Sequence, residues 1–532
     1  MNMSLTGKQL INGAWKSDAE DGAFAALNPA TNEKLPTEFQ NANLDEVNEA
    51  VAAADAAFPI FSTLTAEERA SFLDEIASQM EAAADVIVER GMAETGLPEM
   101  RLRGELGRTT GQLRQFSNVL RRGDWKRAVI DTAIPDRQPV PKPDIRLTQI
   151  ALGPVVVFAA SNFPLAFSTA GGDTASALAA GCPVIVKAHS AHPGTSELVA
   201  KCIKKAIEKS GVPAGTFGLI HGPGQTVGAA LVQHQDIKAG GFTGSVGGGR
   251  ALFNLASQRP EPIPFFGELG STNPVFLLDK ALNEKAEGIA EAFVGAMVLG
   301  AGQFCTNPGI LVVKDGKDTD AFLGKAAEGI AAQQAQCMLT PGISSSFNDG
   351  NKKRQASNGV SVKAFGPETD GNNAQPVLMV VSASDYLADE ELQEEIFGPS
   401  TLAIVCGSDE EMLQIAASFH GHLTSSIFAE SGDLVMSQRL SAVIQNKVGR
   451  LIFNGYGTGV EVCAGMSHGG PYPSSTNVQS TSVGERAIDR FVRPLCYQNT
   501  PQELLPLELK DENPLGIPRL VNGAWTTDPV SA

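Results

Sequence analysis

Positive charge is what this sequence is short of: 41 Lys and Arg stand against 59 Asp and Glu, a formal net charge of −18. A field of that sign repels phosphate backbones and anionic membranes, so neither nucleic acid nor a membrane is expected as a partner. A local basic pocket for a small anion is still compatible with it. Long apolar runs are missing too. The longest, Pro154 to Ala160 and Ala292 to Leu299, are far too short to span a bilayer, and Met1 to Lys16 is mixed and polar, unlike a signal peptide. The seven cysteines (Cys182, Cys202, Cys305, Cys337, Cys406, Cys463 and Cys496) are odd in number and form no Cys-x-x-Cys pair. That pattern points to reduced thiols in a cytoplasm and away from a disulfide frame or a zinc site. The seven histidines show no His-Glu-x-x-His spacing, so no catalytic metal is expected.

What is present describes a globular protein: 532 residues, 42% hydrophobic and 19% charged, enough for two or three domains. Asn43-x-x-Glu46 and Thr65-x-x-Glu68 read as capping boxes opening alanine-rich helices to about Phe58 and Ala84. A further helix is expected over Met100 to Arg121, its many arginines mostly a solvated face. Trp125 to Ile150 turns to short extended pieces broken by four prolines, as in a projecting hairpin or linker.

From Gly153 strands alternate with helices. Val155 to Phe158, Pro183 to Lys187, Phe217 to His221 and a strand ending at Phe242 are separated by helices over Ala170 to Ala180, Thr195 to Lys209 and up to about His234. The pattern implies a parallel sheet whose ligands bind at the carboxyl ends of its strands, where Asn162, Lys187 and Thr243-Gly244-Ser245 fall. A second alternating pattern starts past Glu261 with Phe265-Phe266, Val275 to Leu278, a helix Glu284 to Leu299 and Ile310 to Val313. The tail past Pro494 reads as irregular, and the Asn-Gly-Ala-Trp shared by residues 12–15 and 522–525 is too short to count as a repeat.

Two glycine-rich stretches could meet a phosphate. Gly222-Pro223-Gly224 begins like a dinucleotide fingerprint but has Val227 where a third glycine should stand. Thr243 to Arg250 follows a strand and precedes a helix, the better context for a pyrophosphate at a helix N-terminus. The chemistry sharpens at Gly302-Gln303-Phe304-Cys305-Thr306-Asn307, a thiol in a glycine-punctuated loop. Most cysteines are small core residues, but this one has company. A thiolate adding to a carbonyl makes an oxyanion that needs a donor, which Asn162 offers. Glu268, flanked by Phe266, Gly267 and Leu269, is expected to have a raised pKa and to serve as a base for water.

These motifs occur in the order Ser161-Asn162-Phe163-Pro164, Val186-Lys187, Phe242-Thr243-Gly244-Ser245, Glu268-Leu269-Gly270, Gly302-Gln303-Phe304-Cys305 and Glu394-Glu395-Ile396-Phe397-Gly398-Pro399. Over nearly its whole length the chain resembles the NAD(P)-dependent aldehyde dehydrogenases. The resemblance implies an α/β fold with a Rossmann-type dinucleotide domain (1–124 and 151–265), an α/β catalytic domain (266–475), oligomerisation segments (125–150 and 476–500) and a C-terminal extension (501–532). It implies Cys305 as nucleophile, Glu268 as deacylating base, and Asn162 with the Cys305 N–H as oxyanion hole. Lys187, His189, Ser190, Thr243, Gly244, Ser245, Glu395 and Phe397 would hold the cofactor, and a homodimer or homotetramer is expected.

Closer motifs, residues 93–98, 186–196 and 459–463, are similar to bacterial 2,5-dioxopentanoate (α-ketoglutarate semialdehyde) dehydrogenases, with NADP-dependent fatty or broad-range aliphatic aldehyde dehydrogenases as the alternative. Many NAD-preferring members carry a glutamate where this chain has Ser190, so NADP is the expected cofactor, with NAD also accepted. A substrate with a distal carboxylate asks for a cation in its tunnel, and Arg108 is the candidate; its alternative is a surface arginine. Phe163 and Phe167, one helical turn apart, are expected as apolar wall. Acyl transfer to coenzyme A and a catalytically idle binding protein are the rival readings, disfavoured by Glu268 and by the intact trio of Cys305, Glu268 and Asn162.

Overall fold

In a computed structural model, residues 3–17 and 22–530 are described; the outermost residues of the expected 1–124 and 501–532 segments lie outside them. Two seven-stranded sheets organise the chain. The first runs in the order Phe265–Glu268, Ala239–Thr243, Val155–Phe158, Val184–Lys187, Phe217–Ile220, Gln9–Ile11, Ala14–Lys16. Its first five strands are parallel, and the N-terminal hairpin closes the far edge antiparallel. Val155–Phe158 and Val184–Lys187 are buried along their whole length, as continuous apolar runs covered on both faces should be.

Phe265–Glu268, expected to open the second α/β unit, instead pairs with Ala239–Thr243 at the edge of the first sheet. The pairing brings Glu268 opposite Thr243, at the carboxyl end where ligands bind. The helices come as expected within a few residues. Asn43 and Thr65 both close full capping boxes, on Leu44–Phe61 and Ala66–Ala82. Gly211, at φ 68°, ends Pro193–Ser210 as a left-handed cap.

The second sheet has the order Ser361–Phe365, Val377–Ser382, Ser400–Cys406, Ile310–Lys314, Val275–Leu277, His422–Phe428, Val448–Phe453, parallel except for its first strand. A third, five-stranded sheet joins Val492–Gln498, Ile145–Ala151, Val129–Asp131, Arg519–Val521 and Ala524–Thr526. The tail past Pro494 is therefore not irregular. Pro494 sits inside a strand opposite Gln149, and buried Arg519 donates to the carbonyls of Asp511 and Asp528. The two Asn-Gly-Ala-Trp stretches are true structural counterparts. Each is a two-residue hairpin, with φ 46° and 75° at Asn12 and Gly13 and 49° and 85° at Asn522 and Gly523. Paired positive φ values make the primed turn that Asn-Gly favours. Among the described residues no helix is long and apolar enough to cross a membrane.

Candidate active site

The thiol loop is shaped by backbone that only small residues allow. Asp279–Val298 runs into a short 3-10 turn where Gly300, Ala301 and Gly302 take φ of 58°, 56° and 64°. A side chain at Gly302 would place its Cβ 2.4 Å from the backbone of Gly398 and Pro399, so the thiol loop and the 394–399 loop touch directly. Side-chain amides hold the backbone beyond this turn. Asn273 donates to the carbonyls of Cys305 and Asn307, both at 2.9 Å, and Asn307 donates to the Gly398 carbonyl at 3.2 Å.

Half-buried Cys305 presents its Sγ 3.5 Å from Nε2 of His468, and that nitrogen lies 2.9 Å from Oε1 of Glu268. The Ser482 hydroxyl donates to Oε2 of the same carboxylate at 2.8 Å. Burial and the neighbouring Glu268 charge push the Cys305 thiol well above its usual range, so the resting group is protonated. Glu268 departs from the raised pKa expected of it. Burial does push it up, but His468 beside it and the hydrogen bonds from His468, Ser482 and Cys305 outweigh burial and hold it below the usual carboxylate value. It rests as a carboxylate, already able to accept a proton.

Asn162 is brought to the same place. It is buried in the turn after Val155–Phe158, and its Nδ2 donates to the Gln303 carbonyl at 3.1 Å, leaving a second amide hydrogen. Glu105 anchors that turn by accepting from the Leu165 and Ala166 amides at 2.8 and 2.9 Å. Phe163 and Phe167 lie in this irregular stretch, ahead of the helix Gly172–Ala180 and not on it, joined by one 3.3 Å bond from the Phe167 N–H to the Phe163 carbonyl. Their rings are 5.3 Å apart, and Phe304 packs edge-on against Phe163 at 5.3 Å. The three form an apolar wall beside the thiol.

Arg108 points into this wall from the helix Glu99–Arg122, its guanidinium 5.1 Å from the Phe167 ring. Its Nη1 is buried with no hydrogen-bond partner, and among the described residues Arg108 makes no ion pair. Burial disfavours its charge, against the favourable fields of Glu105, Cys305 and Glu268.

The expected cofactor residues gather at the carboxyl end of the first sheet. Lys187, 9% exposed, has its amine pulled down to about 8 by burial and has no carboxylate partner among the described residues. Exposed Ser190 and half-buried His189 follow it; His189 Nδ1 accepts from the Ala191 amide at 3.1 Å and stacks on His192. Ser245 caps the helix Val246–Ser257 by accepting from Gly248 N at 3.3 Å, next to Thr243 and Gly244. Gly244 N donates to the Glu268 carbonyl at 3.1 Å, tying this edge to Glu268. Glu395, with Phe397 two residues on, has its carboxyl raised to about 8 by burial and the nearby Glu268 charge. A buried amine without a protein anion, next to a capped helix N-terminus, fits a nicotinamide dinucleotide with its phosphates.

His468, Ser482 and Asn273 carry no signal of their own in the sequence, and Phe304 stands in the thiol motif without an expected place in the wall. His468 stands in His468-Gly469-Gly470-Pro471, and the glycine pair was the one local sign that its loop comes close to other backbone.

Comparison with known proteins bears directly on this geometry. The sequence model described as the aldehyde dehydrogenase family matches residues 15–494. Alpha-ketoglutaric semialdehyde dehydrogenase 2 of Azospirillum brasilense is 47% identical over 523 residues, 98% of this chain and 99% of that protein. The alpha-ketoglutaric semialdehyde dehydrogenase of Acinetobacter baylyi gives the same identity and coverage. Among solved structures, betaine aldehyde dehydrogenase of Staphylococcus aureus, in complex with NAD+, shares the fold with a TM-score of 0.79 at 21% identity, covering 93% of this chain and 96% of that one.

Proposed function

The chain belongs to the aldehyde dehydrogenase family, and from that premise we propose that it oxidises 2,5-dioxopentanoate to 2-oxoglutarate through a thioester on Cys305, with NADP preferred over NAD. The observation that carries the substrate is Arg108. A half-buried guanidinium with one buried, unpartnered nitrogen and no ion pair, within the field of the thiol and Glu268, suits the distal carboxylate of a short 2-oxo acid aldehyde.

The residues act in sequence. The Cys305 proton passes to the Glu268 carboxylate, which accepts from the thiol and is oriented by His468 Nε2–H at 2.9 Å and the Ser482 hydroxyl at 2.8 Å, and from there to solvent before deacylation. The thiolate adds to the aldehyde carbon. The oxygen turns toward Asn162 Nδ2, held by its bond to the Gln303 carbonyl, and the Cys305 N–H, on a backbone whose Cys305 carbonyl is held by Asn273. A nicotinamide dinucleotide, when bound, supplies the acceptor for the aldehyde hydrogen and its electron pair. Glu268 then takes a proton from water, the hydroxide attacks the thioester, and the carboxylic acid leaves as the Cys305 sulfur regains a proton. Aldehyde, water and NADP+ become carboxylate, NADPH and two protons.

Lys187, Ser190 and His189 would face the adenosine ribose, Thr243, Gly244 and Ser245 the pyrophosphate, and Glu395 and Phe397 the nicotinamide ribose. Ser190 offers a hydroxyl and no negative charge against a 2′-phosphate, and Lys187 a cation for it. All seven cysteines are free, which supports a reducing cytoplasm, and the five-stranded sheet of residues 129–151, 492–498 and 519–526 would carry a homodimer or homotetramer.

One observation favours a second reading. The wall of Phe163, Phe167 and Phe304 would also accept an aliphatic chain, as in a broad-range or fatty aldehyde dehydrogenase. Kinetics with 2,5-dioxopentanoate, glutaraldehyde, succinic semialdehyde and decanal, each with NADP and NAD, decide between them. The proposal expects the highest kcat/KM for 2,5-dioxopentanoate with NADP. A higher value for decanal would replace the substrate, and a tenfold preference for NAD would replace the cofactor.

A further inference from the structure

Cys305, His468 and Glu268 come from three distant segments, yet a sulfur, a ring nitrogen and a carboxylate oxygen all lie within 4.8 Å of one another. We propose that these three side chains form a binding site for a borderline-soft divalent cation, best matched by Zn2+, whose occupation reversibly switches the enzyme off. The metal is an inhibitor here and takes no part in the oxidation.

The geometry is already close. Tetrahedral zinc, about 2.3 Å from sulfur and about 2.0–2.1 Å from nitrogen, holds those two atoms about 3.5 Å apart. Cys305 Sγ and His468 Nε2 stand at 3.5 Å. The 2.9 Å between His468 Nε2 and Glu268 Oε1 need open by only a few tenths of an ångström. Thiolate and imidazole select zinc over magnesium or calcium, and three protein ligands leave a fourth position open.

The surroundings support the ligands unequally. Ser482 already holds Glu268 Oε2, leaving Oε1 for the metal, and the backbone N–H of His468 is tied to the Thr481 hydroxyl at 2.8 Å. His468 Nδ1, which must carry the ring proton when Nε2 binds metal, is buried without a partner. The site should therefore hold zinc less tightly than a closed structural site. Binding exchanges the S–H bond for an S–Zn bond and releases the proton to solvent. It removes the nucleophile and occupies Glu268 together with the histidine that orients it. The missing Cys-x-x-Cys and His-Glu-x-x-His spacings could not disclose such a site, because its ligands are near only in the fold.

Cobalt reports on it without aldehyde or nucleotide, so the result stands apart from the substrate assignment. Full-length enzyme titrated with Co2+ should develop a thiolate-to-cobalt charge-transfer band saturating at one metal per chain and abolished by added Zn2+. Cys305→Ser should lose the band, and His468→Phe should weaken binding at least tenfold, with His468→Asn as a polar replacement if the first does not fold. Zn2+ should inhibit oxidation reversibly, with activity restored by a chelator. Absence of the charge-transfer band, or cobalt affinity unchanged in His468→Phe or His468→Asn, would overturn the proposal.

Discussion

Two faces of one helix, Glu99–Arg122, treat the same residue type in opposite ways. On the outer face Arg103 pairs with Glu99 and Asp85, Arg114 with Glu81, Arg121 with Glu67 and Asp74, and Arg122 with Asp124 and Glu485. On the inner face Arg101 lies over Phe163 and Phe304 and still reaches Glu105 at 3.4 Å, whereas Arg108 has Phe167 for a neighbour and a buried nitrogen with no partner. Exposed pairs contribute little and are easily spared, whereas a buried, uncompensated cation is costly to keep. Buried arginines that serve the fold elsewhere, such as Arg519 and Arg259, are met by backbone carbonyls instead. Arg108 has neither an anion nor a carbonyl at its buried nitrogen. Lys187, its amine pulled down to about 8 by burial, repeats the pattern at the carboxyl end of the first sheet.

The largest effect tests whether that inner face looks onto the reacting atom. Cys305→Ser should lower aldehyde oxidation by at least about a thousandfold while nucleotide binding persists, measured by NADPH formation and by nucleotide fluorescence titration. His468→Phe should come next, at about a hundredfold in kcat/KM. Its sign with pH follows from Glu268: without the His468 N–H that holds the carboxyl down, burial raises it and the base stays protonated to higher pH, so the variant should recover as pH rises, gaining up to about tenfold per unit. A pH profile parallel to that of the parent enzyme would remove His468 from control of the Glu268 carboxylate. Lys187→Ala should raise KM for NADP by about tenfold with kcat nearly unchanged, read from initial rates at varied nucleotide. Arg114→Ala, on the outer face, should leave kinetics unchanged and cost less than about 1 kcal/mol in urea unfolding. A large loss there would break the distinction between the two faces.

Much of this was legible in the sequence because it is local. The capping boxes at Asn43 and Thr65, the buried runs Val155–Phe158 and Val184–Lys187, and the glycines around Cys305 each declare their conformation within a few residues. What escaped depends on distance. His468 is 163 residues from Cys305 and 200 from Glu268, and no periodicity links them. Phe265–Glu268 reads as a strand, but only pairing with Ala239–Thr243 decides which sheet it joins. The low pKa of Glu268 likewise reverses an expectation drawn from apolar neighbours, because His468 and Ser482 arrive from elsewhere in the chain. The tail hairpin at Asn522-Gly523 was missed for another reason: its turn signal was present, yet the surrounding prolines masked the strands.

The measurement that bears most directly on the account compares 2,5-dioxopentanoate with pentanal, which has the same carbon count and no charge, in the parent enzyme and in Arg108→Ala. Loss of a hydrogen-bonded charge pair should lower kcat/KM for 2,5-dioxopentanoate by about 10- to 150-fold, or about 1.5–3 kcal/mol, while the value for pentanal stays within about threefold. An equal fall for both aldehydes, or no fall for either, would contradict the assignment of Arg108 to the substrate carboxylate.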